Sequence, residues 1–572
     1  MDTHAEVLKD LRIAGRVLAV LAALSLTCAF AARGQQPAPG SPGGAAVSPG
    51  AQAVVDAGLL RWFQGPREIG RESFRRTPLL FETETQVPML NLKLRYRSEY
   101  DAEGRLVRFE ARAFDARADT VFRTYTAVVQ GDTLRMRQVG GRPADSSWVK
   151  ALRVEAVTPS QSIAAMLELA QRAAGRDRAY VAFSPESNDT IRFEVSFHGD
   201  SADVRLGPFS MAARLGPSGR VERLEIPMQR LRAERWDGRD SLPPLEGTRR
   251  PTPDYSAPAG APYTAEEVRI PVRTAAGDTF GLGCTLTLPR TGRAPYPVAV
   301  TITGSGLQDR DESLWPLLPG YRLFRQVAER LAGAGIATLR CDDRGIGAST
   351  GDATRATTQD FAEDVGAEVA WLQQRPGIAR DRIALVGHSE GGVIAPMVAV
   401  MRPSVAALVL MAGTAKNGVE VLKDQVAWPI ESTPGLSPER RAQLRAEAVR
   451  AIETDTTAIP WLRFFRQYEP LPTARRVRQP ALILQGALDR QVTAGQADTL
   501  AQAMRAGGNR DVTVNIFRGL NHLFVPSPTD GSPSEYPSLT DTAVSRDVLD
   551  VMATWLSQKL RAGAAGARRP GR

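Results

Sequence analysis

Two patterns of apolar and polar positions divide the chain. From about Ala53 to Trp236 the period is two. Val107, Phe109, Ala111 and Ala113 alternate with Arg108, Glu110 and Arg112, and Ile191, Phe193, Val195 and Phe197 with Arg192, Glu194 and Ser196. Such alternation belongs to strands with one face buried and the other in water. Gln130-Gly131-Asp132-Thr133 and His198-Gly199-Asp200 read as turns between strands. One helical stretch, Ile163 to Ala174 with Ser160 placed to cap it, interrupts them. The expected unit over 53–236 is a β-rich α+β domain, an antiparallel sheet with at least one helix on its apolar face. It shows no catalytic constellation, and its histidine, His198, reads as a solvated turn residue.

Prolines crowd 237–262, which reads as an interdomain linker. Beyond it the pattern changes. Apolar runs at Val298–Thr303, Ile336–Leu339, Ile383–Val386, Ala406–Met411, Ala481–Gln485 and Val512–Phe517 alternate with amphipathic helical stretches near 324–332, 361–372, 393–401, 494–504 and 545–560. Strands that are apolar throughout and alternate with helices indicate a mostly parallel sheet covered on both faces, an α/β domain over 263–560. Val268–Val272 and Phe280–Leu288 lead into it as an antiparallel pair. The alternation lapses at about 414–477, where a charged helix from Pro438, with Ser437 as cap, and the aromatics Trp461, Phe464, Phe465 and Tyr468 suggest a small helical cap over the strand ends.

The 572 residues suit two folded domains plus tails. At the N-terminus, Lys9, Arg12 and Arg16 precede an apolar stretch, Val17–Ala32, with small-residue cleavage sites behind it. Residues 1–34 therefore read as a signal peptide, and the chain as exported, periplasmic or extracellular. The alternative is an uncleaved anchor, which would limit membrane contact to this segment. Cys28 lacks a lipobox before it. Residues 35–52, rich in Pro, Gly, Ala and Ser, read as a disordered linker, and 561–572 as a disordered tail. Maturation would leave Cys284 and Cys341, expected as two buried free thiols, with a single Cys284–Cys341 bridge in an oxidising compartment as the alternative. The formal charge of +9 is spread among acids rather than gathered in basic blocks with aromatics, which argues against a nucleic-acid partner.

The chemistry starts at Gly387-His388-Ser389-Glu390-Gly391, between the apolar run 383–386 and the helical stretch from Val393. A serine flanked by glycines at that spacing is the nucleophile-elbow pattern, a strand-to-helix turn so sharp that bulk cannot be accommodated two residues either side. A serine hydroxyl needs a base, usually a histidine oriented by a carboxylate. The chain has four histidines. His4 lies in the signal segment, His198 in the other domain, and His388 cannot turn back on the adjacent hydroxyl. His522 remains, just past the strand Val512–Phe517. Asp489, just past Ala481–Gln485, is the orienting acid, with Asp498 as a rival inside the next helix. The order Ser389, Asp489, His522 is that of α/β-hydrolases. The oxyanion donors are expected to be the Glu390 N–H and an N–H of Ser305 or Gly306, in the glycine loop after Val298–Thr303. No metal-ligand spacing, dinucleotide fingerprint or phosphate-cradling loop is present, so no metal or cofactor is expected.

Three blocks, Gly304-Ser305-Gly306-Leu307-Gln308-Asp309-Arg310-Asp311, Asp342-Asp343-Arg344-Gly345 and Gly387-His388-Ser389-Glu390-Gly391-Gly392, resemble the signature blocks of a bacterial α/β-hydrolase esterase family related to the serine aminopeptidase-like and dienelactone hydrolase-like groups. The resemblance covers about 263–560. Leu307 stands where such proteins would carry proline, while Pro396 fits their pattern. It implies an α/β-hydrolase fold and hydrolysis of a small-molecule ester, or of a peptide by the same triad. Arg344 is expected to brace the oxyanion loop through nearby acids such as Asp309 or Asp311, with a direct hold on an anionic substrate as the alternative. A binding protein on a hydrolase scaffold is the remaining alternative.

Overall fold

The computed structural model describes residues 55–566 apart from short internal stretches, of which 158–167 is the longest. The signal peptide, the 35–52 linker, most of the 163–174 helix, parts of the 237–262 linker and 567–572 lie outside the described residues. The chain divides into two compact units. One holds the described residues up to Arg250 together with Ile430–Ala451; the other holds Pro251–Pro429 and the residues from Ile452 onward.

In the first unit, fifteen described strands between Asp56 and Arg235 form one sheet. It is built from two meanders joined where Asp56–Gln64 pairs antiparallel with Leu231–Arg235. The two turns expected from sequence join Thr120–Gln130 to Thr133–Val139 and Asp189–His198 to Ser201–Leu206. Gly131 and Gly199 both take positive φ there, which glycine accepts without steric cost. The period-two pattern sends Leu60, Trp62, Phe74, Phe81, Tyr96, Phe109 and Phe193 to one apolar core. The other face carries cross-strand ion pairs such as Arg97–Glu82 at 2.6 Å and Arg95–Glu84 at 2.8 Å. Many of this domain's arginines are thus matched by acids. His198 is exposed beside Asp203.

The second unit is built on eight strands: β1 (Tyr263–Arg273), β2 (Thr279–Pro289), β3 (Tyr296–Ile302), β4 (Ala337–Cys341), β5 (Ile378–His388), β6 (Ala407–Met411), β7 (Ala481–Gly486) and β8 (Val512–Phe517). Their order across the sheet is β1-β2-β4-β3-β5-β6-β7-β8, antiparallel for β1·β2·β4 and parallel for the rest. Helices α1 (Leu323–Gly333), α2 (Thr358–Leu372) and α3 (Gly391–Met401) follow β3, β4 and β5. Four more, α4 (Gly418–Ser432), α5 (Pro438–Thr454), α6 (Pro460–Gln467) and α7 (Pro470–Ala474), fill the β6–β7 connection. Helices α8 (Gly495–Ala506) and α9 (Arg546–Gly566) follow β7 and β8.

Successive residues of each strand point to opposite faces, so the apolar runs feed two cores. Val300, Leu385, Leu410 and Ile483 pack with α2, α3 and α8. Ala299, Val386, Val409 and Leu484 pack with Phe324 and Val327 of α1 and Val548 and Met552 of α9.

The structure corrects two expectations here. Cys284 and Cys341 form a disulfide. They sit directly opposite one another on the antiparallel pair β2·β4, a neighbourhood set by the sheet order and invisible in the spacing. The 561–572 tail begins later than expected, because α9 continues through the Ala-rich turn to Gly566.

Candidate active site

Parallel register lines up the carboxyl ends of the central strands. Ile302 pairs with Gly387, His388 with Met411 and Gly486 with Phe517. The loop of Ser305, the elbow of Ser389, and the loops of Asp489 and His522 therefore leave the same edge of the sheet.

Ser389 sits between β5 and α3 at φ 53°, a left-handed conformation costly for a residue with a Cβ. Its N–H donates to the Met411 carbonyl at 2.8 Å. The flanking glycines are required by contact. A Cβ on Gly387 would collide with the Gly391 carbonyl oxygen, and one on Gly391 with the Ile302 carbonyl oxygen. The turn leaves Ser389 partly exposed while both its neighbours are buried.

His522 and Asp489 are brought together: Nδ1 of the imidazole donates to Asp489 Oδ2 at 2.7 Å. That carboxylate also accepts from Gln485 Nε2 and from the N–H groups of Gln491 and Val492, each at 2.8 Å. Four donors fix the acid, and the acid fixes the tautomer that leaves Nε2 of His522 able to accept a proton. Asn521 stiffens the histidine's loop by accepting from the N–H of Leu523 at 3.0 Å and of Val525 at 3.2 Å. The rival acid, Asp498, lies exposed on α8.

Glu390 stands at the N-terminus of α3, and burial raises its carboxyl above the usual carboxylate range. That carboxyl accepts from Thr358 Oγ1 at 2.7 Å, from the Trp461 indole N–H at 2.8 Å and from the Ser305 hydroxyl. It therefore ties the elbow to α2, α6 and the glycine loop at once. Gly304 packs against the elbow, since a Cβ there would lie 3.1 Å from Ser389 Cβ. A cavity of about 30 Å³ beside the loop is lined by Gly304, Gly306, Asp343, Glu368 and Glu390, among others. Burial pushes Asp343 and Glu368 well above the carboxylate range.

The loop is braced, but by other arginines than expected. Arg344 pairs with Asp364 through two 2.7 Å contacts and donates to the Asp360 carbonyl, tying its own loop to α2. It meets neither Asp309 nor Asp311 through these bonds. The bracing comes from Arg310, which bonds Asp342 at 2.8 and 3.1 Å and Glu267 at 2.6 Å, and from Arg340, which pairs with Asp311. Glu312 escaped the sequence reading altogether. It lies 2.6 Å from His388 Nδ1, and its only signal was a further acid beside Asp309 and Asp311.

This sheet order, with a strained serine between β5 and its helix and a carboxylate–imidazole pair after β7 and β8, decides the fold family. The second unit has the α/β-hydrolase fold. Residues 320–526 match the family described as serine aminopeptidase, S33. Two relatives are similar to this chain. Esterase EstD from Thermotoga maritima is 27% identical over 281 residues, covering 48% of this chain and 65% of that protein. Dipeptidyl aminopeptidase BIII from Pseudoxanthomonas mexicana is 28% identical over 266 residues, covering 44% and 35%. The chain thus spans less than two thirds of the length of these curated relatives. Among solved structures, the Pyrococcus furiosus esterase Pf2001 is 14% identical over 52% of this chain and 92% of its own, with a TM-score of 0.35.

Proposed function

We propose that this α/β-hydrolase is an exported serine hydrolase that cleaves carboxylic esters through an acyl-enzyme. The observation that carries the reading is the 2.7 Å His522–Asp489 contact at the sheet edge that also presents Ser389 on its strained turn. In the proposed cycle Ser389 Oγ attacks the ester carbonyl carbon while His522 Nε2 takes its proton. Asp489 holds the imidazole and stabilises the imidazolium that forms. The Glu390 N–H, with that of Ser305 or Gly306, stabilises the oxyanion. The tetrahedral intermediate collapses with the alcohol leaving, protonated by His522. Water then attacks the acyl-enzyme by the same steps in reverse and frees the acid.

Export is supported by the N-terminal signal pattern and by the Cys284–Cys341 disulfide, which suits an oxidising compartment. A second reading, peptidase or amidase, is favoured by the S33 family match and by the similarity to a dipeptidyl aminopeptidase. The triad serves both reactions, and only the pocket and leaving group differ. Turnover of p-nitrophenyl esters of graded acyl length, set beside aminoacyl-p-nitroanilides, separates the two. Cleavage of the esters is expected; cleavage of the anilides alone would replace the esterase reading by the peptidase one.

A further inference from the structure

The strand ends hold a second imidazole–carboxylate pair, which the triad does not use. His388 ends β5 and Glu312 closes the loop after β3; both are almost wholly buried. Glu312 Oε1 lies 2.6 Å from His388 Nδ1, and His388 Nε2 lies 3.0 Å from the backbone carbonyl oxygen of His522. The two histidine rings stand 4.8 Å apart between centroids. A Cβ on Gly304 would sit 2.9 Å from Glu312 Oε1 and 3.1 Å from Ser389 Cβ, so this carboxyl shares the glycine loop with the nucleophile.

The pair is built at some cost. Glu312 takes φ 53°, unfavourable for a residue with a Cβ. Its N–H donates to the Asp309 carbonyl at 2.9 Å, and Asp309 Oδ1 accepts from the N–H groups of Asp311 and Ser313. Its other carboxyl oxygen, Oε2, is buried without a hydrogen-bond partner, so the Oε1 contact to His388 is the one that compensates its burial.

A proton count follows from which atoms can donate. A backbone carbonyl only accepts, so Nε2 of His388 carries hydrogen. With Nε2 protonated, a 2.6 Å contact between Nδ1 and Glu312 is attractive only if a further proton lies on Nδ1 or on the carboxyl. The pair therefore holds one proton more than a neutral imidazole facing a bare carboxylate.

We propose that Glu312 and His388 are positioning residues, a proton-holding dyad that pins the backbone of His522 so that its imidazole stays aligned with Ser389. This rests on the Ser389–Asp489–His522 reading. His388 is faced by Glu312, by His522 with Asp489 behind it, and by the edge of Phe524; the Tyr321 hydroxyl lies within the field of Glu312. Although burial opposes the charge, the Glu312 carboxylate holds the His388 imidazole above its usual range. Loss of the shared proton at alkaline pH would set two lone pairs against each other and release the His522 loop. An alkaline limb in kcat is the expected signature.

The test compares kcat and KM against pH, from 5 to 10, for wild type, E312Q and E312A, using a p-nitrophenyl ester and the full chain. In E312Q the amide donates to Nδ1 and the chain of bonds closes without a shared proton. Its kcat is expected to fall only a few fold, while the alkaline limb disappears or moves up by about one pH unit or more. E312A leaves Nδ1 without its partner, and kcat is expected to fall about 10–100-fold with KM little changed. An E312Q limb that superimposes on wild type, a wild type with no alkaline limb below pH 10, or full kcat in E312A would each overturn the dyad. Fluorophosphonate labelling of the same preparations separates the two ideas. Wild type labelled at Ser389 with an unchanged E312Q profile sinks the dyad alone, whereas unlabelled folded wild type sinks the serine hydrolase reading. Should E312A not fold, E312Q alone carries the test.

Discussion

Asp489 shows how much one residue can determine. Its Oδ2 takes the Nδ1 hydrogen of His522 at 2.7 Å, while backbone N–H groups hold Oδ1. Replacing it by asparagine keeps the shape but can present an amide N–H to Nδ1, favouring the tautomer that cannot act as base. D489N should lower kcat by roughly 10³–10⁴-fold with KM little changed. Stopped-time hydrolysis of a p-nitrophenyl ester would measure it, and a loss below tenfold would count against Asp489 as the orienting acid. A different single-residue effect lies in the first unit. Glu72 is buried with Trp62 Nε1 at 3.3 Å and Thr83 Oγ1 at 3.0 Å, and burial pushes its carboxyl up to about 7. A carboxyl raised on folding binds more protons in the native state. Its stabilising contribution is thus full below the unfolded pKa, near 4.5, and is lost as pH rises through about 7. The loss amounts to about 3 kcal/mol as an order of magnitude. Thermal unfolding of the full chain between pH 4.5 and 8 should show this decline flattened in E72Q; parallel curves would refute it.

At the scale of elements, the loop after β3 and helix α6 act on the elbow together. Trp461 donates from α6 to both oxygens of Glu390, at 2.8 and 3.0 Å. W461F removes that donor from a buried carboxyl and should cost about 1–3 kcal/mol of stability. Because the neighbouring Glu390 N–H is the proposed oxyanion donor, kcat is expected to fall as well, by about tenfold. Denaturant unfolding and ester kinetics read the two effects separately, and a wild-type kcat would detach α6 from the site. The elements themselves were largely legible in the sequence. The apolar runs that predicted β3 to β8 lie on those strands to within a few residues, because strands buried on both faces leave little room for polar residues. The places of Asp489 and His522, just past β7 and β8, were legible because the strands before them were. Lateral partners were not. Glu312 meets His388 across 76 residues, and Arg344 turned to α2 rather than to the acids nearest in the blocks of similarity. Both depend on which strands and helices become neighbours, and local periodicity does not carry that information.

For the whole molecule the same limit explains the disulfide. Cys284 and Cys341 were visible in the sequence, but only the order β1-β2-β4-β3 places one against the other. The bridge closes a separation of 57 residues, which in the chain-entropy picture stabilises by about 4 kcal/mol. Replacing both cysteines by alanine should lower the melting temperature of the full chain markedly while leaving ester turnover at 25 °C within a few fold; an unchanged melting temperature would contradict the assignment. The proposed chemistry depends on Ser389 as nucleophile, and one measurement tests that most directly. The purified full chain is treated with a fluorophosphonate and the adduct mapped by peptide mass spectrometry, for wild type and S389A. The expected result is a single adduct on Ser389, absent in S389A together with ester hydrolysis. Folded wild-type protein that takes no label, or an adduct that persists in S389A, would contradict it.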